Sequence, residues 1–142
     1  MLSLARSIEL KRRTQNMKNE KIIADRLKYA GVPVSLLGYE YLKVAISKVL
    51  DNPSLIHSIT TQLYPLCAEE CGTTSSKLER AIRHAIEVGF ERGNTEYLQK
   101  LFGYTTSAMK GKATNSEFIA TMAEDIRLDE KFRKNGKYLF TN

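Results

Sequence analysis

Apolar residues recur along this chain at intervals of three and four, from the first residues to about position 128. That is the period of an α-helix burying one side. Alternating apolar runs joined by hairpin turns are absent, so strand signals are scarce. The pattern predicts an all-α fold, a compact multi-helix domain of about six helices.

Residues 3–29 can form one or two helices, with Ile22, Ile23, Ala24 and Leu27 as a short apolar stripe. "AGVPVSLLG" stops them at Gly31 and Pro33. "YEYLKVAISKVL" then places Tyr41, Leu42, Ala45, Ile46 and Val49 on one face. "DNPS" gives a turn, with Pro53 suited to the first turn of the next helix. That helix, 54–70, contains Pro65, which kinks it or divides it in two. Gly72 breaks the chain again. A long amphipathic helix follows, with Leu78, Ala81, Ile82, Ala85, Ile86 and Gly89 as its core face and Gly93 as its stop. After a short helix, "TEYLQKLFG", a loop carries Lys110 and Lys112. The last helix, "TNSEFIATMAEDIRL", opens with a capping box, Thr114 and Glu117. The division expected is a basic arm or linker helix over 1–20, a helical body over 21–130 and a tail over 131–142.

Length and composition agree with one domain. The chain has 142 residues, 42% hydrophobic and 27% charged, the balance of a folded globular protein. No run of about 18 apolar residues could span a membrane, and the N-terminus has the wrong charge order for a secretory signal. A cytoplasmic location is expected. The net charge of +6 is unevenly spread. Residues 1–28 hold eight basic and three acidic groups, whereas the remaining 114 hold 14 and 13. The excess therefore belongs to the N-terminal arm.

Candidate chemistry is sparse. Cys67 and Cys71 stand four apart in a helical pattern, as core-facing thiols do. A zinc site would have to add His57 and His84, without the tight ligand pairs such sites use. No metal or other cofactor is expected. The histidines lack a nucleophile or carboxylate at a catalytic spacing, and no glycine-rich phosphate loop occurs, so an enzyme is not expected.

The polar face of the long helix is more informative. Ser76, Lys77, Glu79, Arg80, Arg83, His84, Glu87 and Glu91 fill it, with bases crowding the first two turns and acids the last two. This order opposes the helix macrodipole, which favours anions at the N-terminus. A solvated helix has no reason to adopt it, whereas a helix presenting its N-terminal half to a polyanion does. The preceding helix and the Gly72 turn make a plausible helix-turn-helix, whose second helix enters the major groove. Thr74, Ser75 and Ser76 can cap the helix and donate to phosphate oxygens. Arg80 and Lys77 suit guanine, and Glu79 can accept from a cytosine amine. The plainer alternative is a solvated face, or a docking face for another protein.

At these residues the chain resembles a known family. "SKLERAIRHAIEVGFERGN", "LFGYT" and "TNSEFIA", with "GVPVSLLGYEYLKVAIS" and "SITTQLYP" before them, are similar to the C-terminal DNA-binding domain of the master response regulator of endospore formation in spore-forming Firmicutes. The resemblance covers about residues 20–128. It implies an all-helical domain with a helix-turn-helix that binds a short box in double-stranded DNA, pairs in tandem on adjacent boxes, and activates or represses promoters. It implies base and backbone contacts at Ser76, Lys77, Glu79, Arg80, Arg83 and His84. It also implies a surface for the sigma subunit of RNA polymerase around Gly93 to Phe102, with Tyr97 and Gln99 within it. Lys110 and Lys112 are further DNA-contact candidates.

The chain departs from the family pattern at several points. Lys77 stands where arginine is usual, and lysine cannot make arginine's two-pronged guanine contact. Gly89 and Phe90 replace an Ala-Trp pair, and "VSLL" (34–37) replaces more polar residues. Residues 1–20 cannot hold the receiver domain of family members, which implies a fragment or a stand-alone protein. The arm reads as a remnant linker, because Ile8, Leu10 and Met17 could pack, or as a source of phosphate contacts. Tyr97 and Gln99, where the family surface has small polar residues, leave a second role open: a competitor that occupies boxes without activating.

Overall fold

The computed structural model describes residues 3–103 and 112–134, and among these it contains six α-helices and no strand. They are α1 (Leu4–Tyr29), α2 (Leu37–Asp51), α3 (Tyr64–Cys71), α4 (Ser75–Arg92), α5 (Thr95–Phe102) and α6 (Asn115–Lys134). None of them is long and apolar enough to cross a membrane. Lys110 lies outside the described residues.

α2 is the centre of the body, touching α1, α3, α4 and α6. Its expected stripe is wholly buried, from Tyr41 to Val49. The stripe meets Leu78, Ile82, Ala85 and Ile86 of α4 and Phe118, Ile119, Met122 and Ile126 of α6 within one core.

The α2–α4 crossing depends on small residues. A Cβ on Gly38 would collide with the Ala81 carbonyl oxygen and lie 2.5 Å from the Ala85 Cβ. At the far end of α4, a Cβ on Gly93 would strike the Ala30 carbonyl. Gly93 does end α4, but with φ −75° and ψ 173° rather than the left-handed conformation of a helix-ending glycine. Close approach to the α1 terminus is what requires glycine there. Gly89 serves the same approach, 2.8 Å from the Ala30 oxygen to a notional Cβ. Phe90 beside it tilts against Phe102 at 5.6 Å between centroids.

Several expected boundaries move. α1 is a single helix running through position 20. Its N-terminal half does not pack: Ile8, Leu10 and Met17 are exposed, Met17 at 71%. Helix α1 meets the body only further along, where Gln15 bonds Glu130 at 2.8 Å and Asn19 is buried. Arg26 then pairs with Asp125 and, at 2.8 Å, with Asp129. α6 continues through Lys134, so the first residues of the expected tail are helical. The helix expected over 54–70 is a 3₁₀ turn (Pro53–His57), a π-helical turn (Ile59–Leu63) and α3. Pro65 sits in the first turn of α3, where its missing N–H leaves no bond broken.

Cys67 is buried and Cys71 half-buried. Burial pushes the Cys67 thiol up to about 12, so it is inert as a nucleophile.

Gly38→Ala is expected to destabilise the domain by about 1–3 kcal/mol, the usual range for overpacking a rigid contact. Thermal unfolding measures it, and an unchanged midpoint would mean that α2 and α4 can move apart freely.

Candidate nucleic-acid interface

The interface is built on the turn between α3 and α4. Gly72 is left-handed, with φ 67°. Its N–H donates to the Glu69 carbonyl at 3.3 Å, and Thr73 N–H donates to the Ala68 carbonyl at 2.9 Å. This is the Schellman pairing that closes a helix, and it needs a residue without a Cβ penalty at Gly72. Two residues later, Thr74 is extended, and its hydroxyl oxygen accepts from Lys77 N–H at 3.2 Å. A closed helix end and a capped helix start therefore abut within three residues.

The apolar face of α4 is buried, with Ala81 half-buried at its edge. The opposite face leaves Ser76, Lys77, Arg80, Arg83 and His84 exposed. The first turn of α4 contains no acidic residue. Among the described residues, Lys77 and Arg80 form no salt bridge; Arg80 Nε donates weakly to the Ser76 carbonyl at 3.4 Å. Arg83 pairs with Glu79 one turn before it. These two form a neutral unit within an otherwise cationic strip.

Beside this strip lies an open groove of about 710 Å³. Ser75, Ser76, Glu79 and Arg83 line one wall, Thr60 and Tyr64 another, and Lys112 to Ser116 the third. Lys112 Nζ is 2.5 Å from a Glu87 carboxylate oxygen. That contact holds the Glu87 carboxyl below the usual carboxylate range. Lys112 is thus tied to the acidic half of α4. The Thr114–Glu117 capping box forms as expected: Glu117 N–H donates to Thr114 Oγ1 at 3.2 Å, and Thr114 N–H to Glu117 Oε1 at 3.3 Å.

The four residues assigned to a polymerase surface are not one surface. Phe102 is fully buried and stacks on Phe118 at 5.2 Å, so it belongs to the core and is removed from that set. Tyr97 is half-buried, edge-on to Tyr29 at 5.1 Å, with its hydroxyl toward Met122 Sδ at 3.7 Å. Desolvation raises its phenol above the ordinary range. Gly93 is half-buried and Gln99 exposed. In the eight-residue α5, Leu98 and Phe102 turn inward and Thr95, Glu96, Gln99 and Lys100 face outward.

Two residues at the interface carried no sequence signal. Asn115 Nδ2 donates to the main-chain carbonyl of Glu79 at 3.0 Å. Tyr64, buried under the groove, reaches the same side chain. The capping box marks where α6 starts, but nothing in the spacing says which helix the next residue meets.

A helical body that shows exposed cations along the N-terminal half of a long helix, with no acid in its first turn, has the build of a DNA-binding regulatory domain. The strip is the wrong charge for the helix end that carries it and the right charge for a phosphate backbone. The chain belongs to the family described as Sporulation initiation factor Spo0A C terminal, whose model matches residues 23–126. It is therefore a response-regulator effector domain of sporulation control, in a DNA-binding rather than an enzyme family. The match begins inside α1 and ends inside α6, so both helices extend beyond the family span.

Thr74→Ala is expected to destabilise the domain by about 1 kcal/mol, the usual loss for a removed N-cap. Denaturant unfolding gives the size, and faster amide exchange at Lys77 gives the place. An unchanged exchange rate there would show that the cap is not holding the first turn.

Proposed function

We propose that the chain reads a short promoter box, with α3 and α4 as a helix-turn-helix and α4 as the helix that enters the major groove. One observation carries this reading: Ser76, Lys77, Arg80 and His84 are exposed together on the N-terminal half of α4, next to a turn closed at both helix ends. Backbone contacts to phosphate come from Thr74, Ser75 and Ser76, and base contacts from Lys77 and Arg80. Thr74 uses its oxygen as the cap and keeps its proton to donate. Glu79 and Arg83 take part by exchanging each other for a cytosine amine and a phosphate. Lys112 joins only by leaving Glu87.

Control of promoters through the sigma subunit is the second part of the proposal, with Gly93, Tyr97 and Gln99 as the contact positions that remain. So are a tandem pair on adjacent boxes, activation of some promoters and repression of others, and a cytoplasmic setting. Arg12 and Arg13 both pair with Glu9, at 3.0 and 3.2 Å, which favours an arm that stays off the DNA.

Selection of bound duplexes from a random pool defines the box. Arg80→Ala is then expected to weaken specific binding by about 5- to 150-fold, the range for losing one good base contact, with folding unchanged. Binding equal to wild type would refute α4 as the reading helix. Neutralising Lys11, Arg12 and Arg13 together is expected to leave the salt dependence unchanged. A slope shallower by about 0.9 for each lost contact would instead place the arm on phosphate.

A further inference from the structure

We propose that Asn115 is a positioning residue for sequence reading: it staples the reading end of α4 to the start of α6 through one side chain. The inference rests on α4 being the reading helix.

Asn115 stands at the first position of α6, directly after the Thr114 cap. The capping box fixes that helix start, so the Asn115 side chain leaves a defined point. Its amide nitrogen donates to the Glu79 carbonyl at 3.0 Å. The ring of Tyr64, the first residue of α3, is buried beside this contact in the wall of the groove. A carbonyl oxygen has two lone pairs, so Glu79 can accept this bond and keep its helical one. Two helices then meet at one half-buried amide.

The attachment point matters. Glu79 lies between Ser76 and Arg80, in the half of α4 that carries the exposed cations. The far end of α4 is fixed separately, where Gly89 and Gly93 press on Ala30. The near end is held on its core side by Gly38 against Ala81, and the staple holds it from the groove side. Base reading needs both prongs of a contact placed within a fraction of an ångström, whereas phosphate contacts tolerate displacement. Loss of the staple should therefore reduce discrimination and spare general affinity.

Asn115→Ala and Asn115→Asp test this in the full chain, against the selected box and a scrambled duplex. Ionised aspartate keeps the shape but has no donor for the Glu79 carbonyl. Both variants are expected to lose about five- to tenfold in the ratio of specific to scrambled binding, the worth of about one buried hydrogen bond. Affinity for the scrambled duplex, its salt slope and cooperative unfolding should stay as in wild type. A merely structural role would instead weaken both duplexes alike. Equal weakening, or wild-type discrimination by Asn115→Asp, overturns the proposal. If Asn115→Ala does not fold, the aspartate variant decides. Arg80→Ala separates the two readings: loss there with none at Asn115 ends the staple alone, and no loss at Arg80 ends both.

Discussion

The close crossing of α2 over α4 is the constraint on which the rest depends. Gly38 has no side chain, and Ala81 and Ala85 have the smallest, so the helices approach until main chain meets side chain. Leu78, Ile82 and Ile86 then fall inside the core, and the opposite side of α4 has to face outward. The outward face is a consequence of this contact as much as of its own polarity. A bulkier contact would lift α4 and open the core beneath it, since interiors packed at crystal density do not absorb extra atoms without strain.

The second constraint is electrostatic and is left unresolved within the chain. Lys77 and Arg80 occupy the positive end of an 18-residue helix with no acid in its first turn. Each such group costs up to a few tenths of a kcal/mol at an exposed site. Elsewhere the protein pairs its charges readily: Arg127 with Glu124, Lys48 with Glu70, Lys112 with Glu87, and Arg26 with two aspartates. Within α4, Arg83 has Glu79, while Lys77 and Arg80 have no carboxylate partner among the described residues. The Thr74 cap keeps the first turn formed despite that charge.

Much of this was legible in the sequence. Where a helix buries one face against a single neighbour, the apolar period states the answer, and the stripes of α2 and α4 were read correctly residue by residue. The capping box of α6 was legible for the same reason, being a local interaction over four residues. What failed was non-local. Ile8, Leu10 and Met17 look like packing residues, but whether α1 has a neighbour at that height depends on where α6 runs. Phe102 lies in a helix too short for its period to say which side is inside, and the resemblance placed it outside. Asn115 is polar in a polar stretch, and its role depends on a carbonyl 36 residues away.

These two kinds of legibility divide along function. The face of α4 that makes the fold is written in apolar spacing, which tolerates exchange among residues of similar volume. The face that meets the partner is written in charge and hydrogen-bonding geometry, where Lys77 for arginine removes a planar, two-pronged donor while keeping the charge. A chain can therefore hold this fold while shifting what it reads. Ser76, Lys77, Arg80, Arg83 and His84 are the exposed side chains of that half of α4, and a change there leaves the core untouched. The turn, the Gly38 crossing and the Ala30 contact fix the helix that carries them, so a change of specificity there need not pass through a change of fold.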